Sequence, residues 1–233
     1  METRVEVDRL RKVYREYTVR GFGKSKWSLA NRGNQAVRDE CQMKIREVLE
    51  ESGFFPLENR RILDVGCGTG ERLAAFVDWG ARPDNLFGVD LIPDRISEGR
   101  QNHPQITFEL ANAEALPFAN HTFDLVTVFT VFTSILDDRM AANVRREINR
   151  VLPRGGSVLW YDFRMRNPLN RHVRGISRDQ IRNMFPGFKI NLQPISLLPP
   201  LARRLGRLTH LLYAPLSSLP FLRSHYLGVL TKL

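Results

Sequence analysis

Five short apolar runs, each halted by turn or acidic residues and several followed by helical stretches, constrain this chain more than any other feature. The runs are Arg61-Ile62-Leu63-Asp64-Val65, Leu86-Phe87-Gly88-Val89-Asp90, Ile106-Thr107-Phe108-Glu109, Phe123 to Val128 and Gly156 to Tyr161. Residues 71–79, 94–102 and 138–151 carry helical periodicity between them. Alternation at this spacing predicts βαβ units and a parallel sheet, and strands covered on both faces read as continuous apolar runs. With 233 residues, 42% hydrophobic and 26% charged, the chain has an ordinary globular mix and enough apolar surface for one core.

The flanks differ. Residues 4–17 and 35–51 show helical spacing, the second ended by Gly53 and Pro56, and the stretch Gly21 to Ser28 between them is loop-like. Toward the C-terminus, Ser177 and Gln180 form a capping-box pattern ahead of a helix to Phe185. Residues 188–195 and 225–232 read as strands. Between them, Leu201, Leu205, Leu208 and Leu212 make one helical stripe with Arg203, Arg204 and Arg207 off it, an amphipathic insert over 199–222.

Charge is uneven. Residues 1–50 carry +4, residues 51–153 carry −5 and residues 154–233 carry +11, for a total of +10. A basic tail of this kind suits nucleic acid, an anionic small molecule or a membrane surface. Two cysteines, Cys41 and Cys67, are too few for a disulfide framework. No segment reaches the ~20 apolar residues of a membrane span. The N-terminus has no secretory h-region. A cytoplasmic protein, with membrane association through the insert as an added prospect, is the expectation. No metal site is expected.

The central motif is Asp64-Val65-Gly66-Cys67-Gly68-Thr69-Gly70, directly between a strand and a helix. Glycines there let a ligand approach the backbone. The spacing is G-x-G-x-G; the dinucleotide pattern needs a glycine where Glu71 stands. The next strand ends in Asp90, where an acid grips ribose hydroxyls, with a helix N-cap or solvated loop residue as the plainer alternative.

The ordered set ILDVGCGTG, GVDL, ANAEALPF, FDLVTV and INRVLPRGGSVL resembles the class I S-adenosylmethionine-dependent methyltransferases. Within them it is most similar to the bacterial methyltransferase type 11 branch, which includes ubiquinone/menaquinone-biosynthesis-like enzymes. The motifs cover about residues 60–162. The resemblance implies an α/β fold: a Rossmann-like three-layer αβα sandwich with a mostly parallel seven-stranded sheet. A C-terminal antiparallel hairpin strand, an N-terminal helical lid (residues 1–56) and a methyltransferase domain (57–233, with the insert before its last strand) complete it. It also implies S-adenosyl-L-methionine as cofactor and S-adenosyl-L-homocysteine as product.

The resemblance carries binding roles onto matching residues. Asp64, Gly66, Gly68 and Gly70 would receive the methionine part, and Asp90 the ribose hydroxyls, since a carboxylate can accept two hydrogen bonds. Leu91 and Ile92 would pack on the adenine. Asn112 stands where the branch has Asp and keeps an accepting oxygen; Ala113 would offer its N–H. Phe129 either touches the methionine moiety or packs in the core. Trp27, with Tyr17 and Ser28, would belong to the lid. On the acceptor side, after the fourth and fifth strands, the candidates are Thr130, Thr133, Ser134, Arg164 as an anion clamp, and Arg174. No catalytic base is assigned; His172 and Asp162 are candidates, each with a plainer reading as a loop histidine and an arginine partner. The expected function is methyl transfer by in-line displacement, at oxygen, to a small-molecule or lipid-linked anionic acceptor. Two alternatives stand: an RNA methyltransferase, and a non-catalytic membrane-surface protein keeping the fold. Against the former, no RNA-binding module and no Asn/Asp-Pro-Pro-Tyr motif is present, which puts nucleic acid behind a small molecule as partner.

Overall fold

The computed structural model describes residues 2–19, 28–166 and 170–233. Two helices come first, α1 (Glu2–Val19) and α2 (Arg32–Glu51). The alternating segment follows: β1 (Ile62–Val65), α3 (Glu71–Asp78), β2 (Leu86–Asp90), α4 (Pro93–Asn102), β3 (Thr107–Leu110), β4 (Leu125–Phe129), α5 (Asp138–Val151) and β5 (Ser157–Phe163). The remainder is α6 (Arg178–Met184), β6 (Phe188–Leu197), α7 (Pro199–Arg204), α8 (Thr209–Ser217) and β7 (Arg223–Lys232).

The seven strands form one sheet in the order β3-β2-β1-β4-β5-β7-β6. Strands β1 to β5 are mutually parallel, and β7 runs antiparallel to both β5 and β6. The chain winds outward from β1 in one direction and from β4 in the other, so their carboxyl ends flank the crevice where ligands bind in such sheets. One face of the sheet packs α1, α5 and α6 through residues such as Leu10, Val144, Ile148 and Ile181. The opposite face packs α2, α3 and α4 through Ile45, Leu49, Phe76 and Ile96. The fully buried Trp160 stacks on Phe132, 5.1 Å between centroids, and anchors the first of these layers. Ser177 and Gln180 do form a reciprocal capping box at α6.

The insert departs from the single stripe that leucine spacing suggests. Gly206 takes a left-handed φ of +52° and Pro215 sits inside α8, so the segment breaks into α7, α8 and 3-10 turns at Gly206–Leu208 and Pro220–Leu222. The stripe divides accordingly. Leu201 and Leu205 pack with Val37 and Leu197, while Leu208 and Leu212 face outward. The insert is held to the first turn of α2: Asn31 Nδ2 donates to the Arg203 carbonyl (3.1 Å), and a Cβ on Gly33 would lie 1.9 Å from the Ala202 carbonyl oxygen. Gly33→Ala therefore forces backbone apart. We expect a loss of about 2 kcal/mol, the usual cost of overpacking, and a melting temperature lower by ~5 °C. Proteolytic cleavage within 199–222 should rise with it.

Candidate active site

The glycine turn after β1 has three left-handed residues, Gly66 (φ +74°), Gly68 (+58°) and Gly70 (+87°), and they serve different ends. A Cβ on Gly68 would meet only Arg95 Nη1, at 4.0 Å, so its face is open to a ligand. A Cβ on Gly70 would lie 2.4 Å from the Phe108 ring. Gly70 thus allows α3 to pack against β3, and it lies away from the open face. The turn is tied to β2, because Gly66 N and Cys67 N both donate to the Val89 carbonyl (2.8 and 3.0 Å).

Asp90 closes β2 beside that turn and is buried. One carboxylate oxygen accepts from Gly68 N and the other from Ile92 N, each at 2.9 Å. Both oxygens are thereby aimed, and each keeps a lone pair for a further donor. Asp64, across from Thr127 in β4, accepts from the Thr127 hydroxyl (2.6 Å). Burial pushes its carboxyl up to about 6, against the pull of Thr127 and Arg72. The Cys67 thiol is also pushed up, by burial and by Asp64 and Asp90, so it stays protonated and is no nucleophile at neutral pH.

A cavity of about 310 Å³ opens over these groups. Val65, Gly66 and Val89 form its floor, Leu91, Ile92, Asn112 and Ala113 one end, and Leu10 and Tyr14 of α1 its roof. The Asn112 amide oxygen accepts from Glu114 N (3.1 Å), and its nitrogen donates to Glu114 (3.0 Å), which fixes the side chain. The other end is built by Thr130, Val131, Ser134 and Ile135, in the loop after β4, with Met140 and Val144 of α5. Thr130 has φ +56°, an uncommon conformation for a residue with a Cβ, and its N–H donates to the Tyr161 carbonyl (2.8 Å).

The roof is fastened to that loop. Glu6 accepts from Leu136 N (2.6 Å) and pairs with Arg9 (2.6 Å), and Arg9 Nη2 donates to the Ser134 carbonyl (2.6 Å). Burial raises the Glu6 carboxyl, but the Arg9 and Leu136 hydrogen bonds outweigh it, and the group is held below the usual range. Tyr14 lies 3.1 Å from Ser134 Oγ. The serine proton goes to the Thr130 carbonyl (2.8 Å), so the tyrosine donates in this pair. Burial pushes the Tyr14 phenol up and keeps it neutral.

Two arginines flank the open turn. Arg95 lies over the Tyr14 ring at 4.5 Å, and Arg72 over the Phe129 ring at 3.8 Å. Sequence reasoning missed Leu10, Tyr14, Arg72 and Arg95 as site residues. Tyr14 was legible only as part of the apolar face of α1, and Arg95 only as a charged residue five positions after Asp90.

Of the acceptor-side candidates, Thr130 and Ser134 line the cavity, and the others stand elsewhere. Thr133 is fully buried and gives its hydroxyl and its N–H to Asp162 (2.5 and 3.0 Å). Asp162, fully buried, also accepts from Phe163 N (2.9 Å), and burial pushes its carboxyl up to about 7. Arg164 donates to the Pro220 carbonyl (2.8 Å), and Arg174 pairs with Asp138 (2.6 Å). The backbone N–H of His172 donates to the Asn170 side chain (3.0 Å). None of these five is among the described residues lining the cavity; Thr133, Asp162, Arg164 and Arg174 are each held by a partner distant in sequence. Trp27 lies outside the described residues, and Ser28 lies in the loop ahead of α2.

Comparison with known proteins agrees with this geometry. Residues 62–156 match a family described as methyltransferase domain. A demethylmenaquinone methyltransferase from Renibacterium salmoninarum is 30% identical over 118 residues, 51% of this chain and 46% of that one. A ubiquinone/menaquinone biosynthesis C-methyltransferase UbiE from Shewanella sp. (strain ANA-3) is 30% identical over 124 residues, 51% and 47% of the two chains. The chain spans about half the length of these curated relatives. Among solved structures, an S-adenosylmethionine-dependent methyltransferase from Mesorhizobium loti superposes with a TM-score of 0.60 at 18% identity, covering 82% of this chain and 96% of that one. The [4+2]-cyclase SpnF superposes with a TM-score of 0.59 at 17% identity, covering 82% and 81%. That neighbour shows one fold hosting other chemistry, so the activity has to be argued from the site. The glycine turn opening at Gly68 and the aimed carboxylate of Asp90 thus lie in a segment, residues 62–156, that matches a methyltransferase domain, and the chain has the fold of S-adenosylmethionine-dependent methyltransferases.

Proposed function

We propose that this chain transfers the methyl group of S-adenosylmethionine to a hydroxyl oxygen of a small-molecule or lipid-linked, anionic acceptor, which it meets at a membrane surface. The observation that carries the reading is the Asp90 carboxylate, anchored by two N–H groups beside the open face of Gly68, in a cavity roofed by α1. When bound, the cofactor supplies a methyl group already activated on a sulfonium.

The residues divide the work. Asp90 takes the ribose hydroxyls. Leu91 and Ile92 pack on the adenine, and Asn112 and the Ala113 N–H read its edge. Gly66 and Gly68 admit the methionine part, beside Asp64, Phe129 and the guanidinium of Arg72. Leu10 and Tyr14, in the N-terminal segment 1–56, exclude water from the reacting centre. The acceptor oxygen then forms its bond to the methyl carbon as the C–S bond breaks, with the electron pair leaving on sulfur. Placement alone supplies much of the rate in such a displacement, with effective molarities of roughly 10⁵–10⁸ M at best. Asp90 is the one carboxylate among the described lining residues, and it serves the ribose. The acceptor hydroxyl is therefore one acidic enough to arrive ionised, and Arg95 faces its charge.

A second reading comes from the relatives, one named a demethylmenaquinone methyltransferase and the other a ubiquinone/menaquinone biosynthesis C-methyltransferase. Carbon methylation of a quinol-type ring uses the same cavity and the same ionised hydroxyl.

The test is titration calorimetry with S-adenosylmethionine, followed by incubation with a lipid extract and carbon-13 methyl-labelled cofactor. Binding and extract-dependent release of S-adenosylhomocysteine are expected. A labelled methoxy carbon in the product supports oxygen transfer, and a labelled ring methyl supports the second reading. Absence of cofactor binding overturns both.

A further inference from the structure

The insert between β6 and β7 has two faces of opposite character. Leu201, Leu205, Tyr213, Leu216 and Leu222 pack inward against Val37, Leu197 and Ala202. The outward face carries Leu208 (53% exposed), Leu211 (61%) and Phe221 (68%), with Leu212 and Leu219 also exposed. Leu208 caps the start of α8 from the preceding 3-10 turn, and with Leu211 and Leu212 in the helix it follows i, i+3, i+4 spacing. Bulky apolar side chains exposed together in this way mark an interaction surface.

The charge around them has one sign. Arg204, Arg207 and His210 are exposed among the leucines, and residues 180–233 contain no Asp or Glu. A carboxylate from outside the insert, Glu40 of α2, accepts from the Tyr213 hydroxyl (2.6 Å). Bulky aliphatic and aromatic side chains interleaved with arginine, with acids excluded, match the apolar interior and anionic headgroups of a phospholipid surface. Among the described residues no helix is long and apolar enough to cross a membrane, so the contact is one of lying on the surface.

Placement gives the contact a use. Strand β6 ends and β7 begins at the end of the sheet where β5 also ends: Leu197 pairs with Arg223, and Phe163 with His225. The insert therefore projects from the carboxyl edge of the parallel strands, the edge on which Asp90 and the cavity lie. It is braced there by Arg164 on the Pro220 carbonyl and by Arg223 on the carbonyls of Pro194 and Ser217.

We infer that the tip formed by residues 204–221 seats the carboxyl edge of the sheet on an anionic lipid bilayer. The seating deepens the proposed reading, and rests on it only for its purpose, which is delivery of a lipid-linked acceptor to the cavity.

Sedimentation of the full chain with vesicles, without cofactor, tests it. Two vesicle types are compared: phosphatidylcholine alone, and two parts phosphatidylcholine to one part phosphatidylglycerol. Binding to the anionic vesicles, weakening as salt rises, is expected. The double variant Arg204→Glu/Arg207→Glu should bind at least about tenfold more weakly, and Leu211→Ser/Phe221→Ser should lose about as much through lost apolar contact. Both variants should keep wild-type melting and wild-type affinity for S-adenosylmethionine. Equal binding to both vesicle types, wild-type binding by both variants, or no binding at all overturns the inference. So does a dimer in solution that Leu211→Ser/Phe221→Ser dissolves while vesicles are ignored, which makes the face an interface between copies. Failure of cofactor binding with vesicle binding intact sinks the methyl-transfer reading and leaves the seating standing.

Discussion

Asp90→Ala should weaken S-adenosylmethionine binding by about 100-fold or more in a calorimetric titration. A hydrogen bond to a charged group contributes about 1.5–3 kcal/mol, and the ribose offers two hydroxyls to this carboxylate. Each 1.4 kcal/mol is tenfold in affinity, so losing both bonds reaches that figure without any change elsewhere. A second loss adds to it. Asp90 accepts from Gly68 N and Ile92 N (2.9 Å each), and without it the open face of the turn is less fixed. Asp90→Asn, which keeps one accepting oxygen but brings a donor against a backbone N–H, should fall between wild type and alanine. The melting curve separates this from unfolding, because the core under β2 is made by Leu86 and Val89 and neither changes. Wild-type affinity in Asp90→Ala would remove the carboxylate from the site.

Structure also redistributes the basic tail that the sequence presents as one field of +11. Arg178 donates to the Leu192 carbonyl (2.6 Å), and Lys232 to the carbonyls of Asn149 and Leu152 (2.8 Å each). Arg164 and Arg223 brace the insert, and Arg174 pairs with Asp138. Much of the positive charge thus caps carbonyls and holds elements in place. The exposed cations of the insert, Arg204 and Arg207, remain for a partner. A continuous nucleic-acid track would need its cations facing outward along a path, and these side chains are turned to the protein.

The sheet was legible because its signal is local. A run such as Ile62 to Val65 followed by glycines specifies a buried parallel strand and its turn without reference to anything distant. Asp90 was legible for the same reason, by its place at the end of the next run. The insert was legible as apolar and basic, but leucine spacing overrode Gly206 and Pro215, and a single stripe was expected where two helices form. The acceptor side was legible only in part: Thr130 and Ser134, just past the fourth strand, do line the cavity, while the rest depends on contacts that spacing leaves undetermined. Arg164 meets a carbonyl 56 residues away, and Tyr14 meets Ser134 at a separation of 120. Tyr14 reaches the site through tertiary packing, whereas Arg72 and Arg95 stand in the first turns of the helices that follow the glycine turn and Asp90.

Asp162 shows how such a hidden contact governs the site, and pH exposes it. Burial raises its carboxyl from 3.8 to about 7, so between those values the folded chain holds a proton that the unfolded chain has released. Stability contributed by this group is complete below pH 3.8, falls as pH rises, and has gone above about 7, a change of about 4 kcal/mol at most. Asp64, raised to about 6, acts with the same sign over a narrower window. The buried His225, lowered to about 3 by desolvation, acts with the opposite sign, since the unfolded chain is the one that binds the proton. The three partly cancel in the wild type, and the difference between wild type and Asp162→Asn isolates the first. That difference should shift by several kcal/mol in favour of the variant between pH 4 and pH 7, then stay level, in urea unfolding followed across the range. The offset between the two curves reports a separate loss, because the variant's amide nitrogen faces the Thr133 N–H, which now donates to Asp162. That N–H belongs to the loop carrying Thr130, Val131 and Ser134 into the cavity. Loosening it should lower turnover more than cofactor affinity, since Asp90 and the glycine turn lie on other strands. A pH slope unchanged by Asp162→Asn would mean that the carboxyl is already ionised in the fold, held so by its three donors.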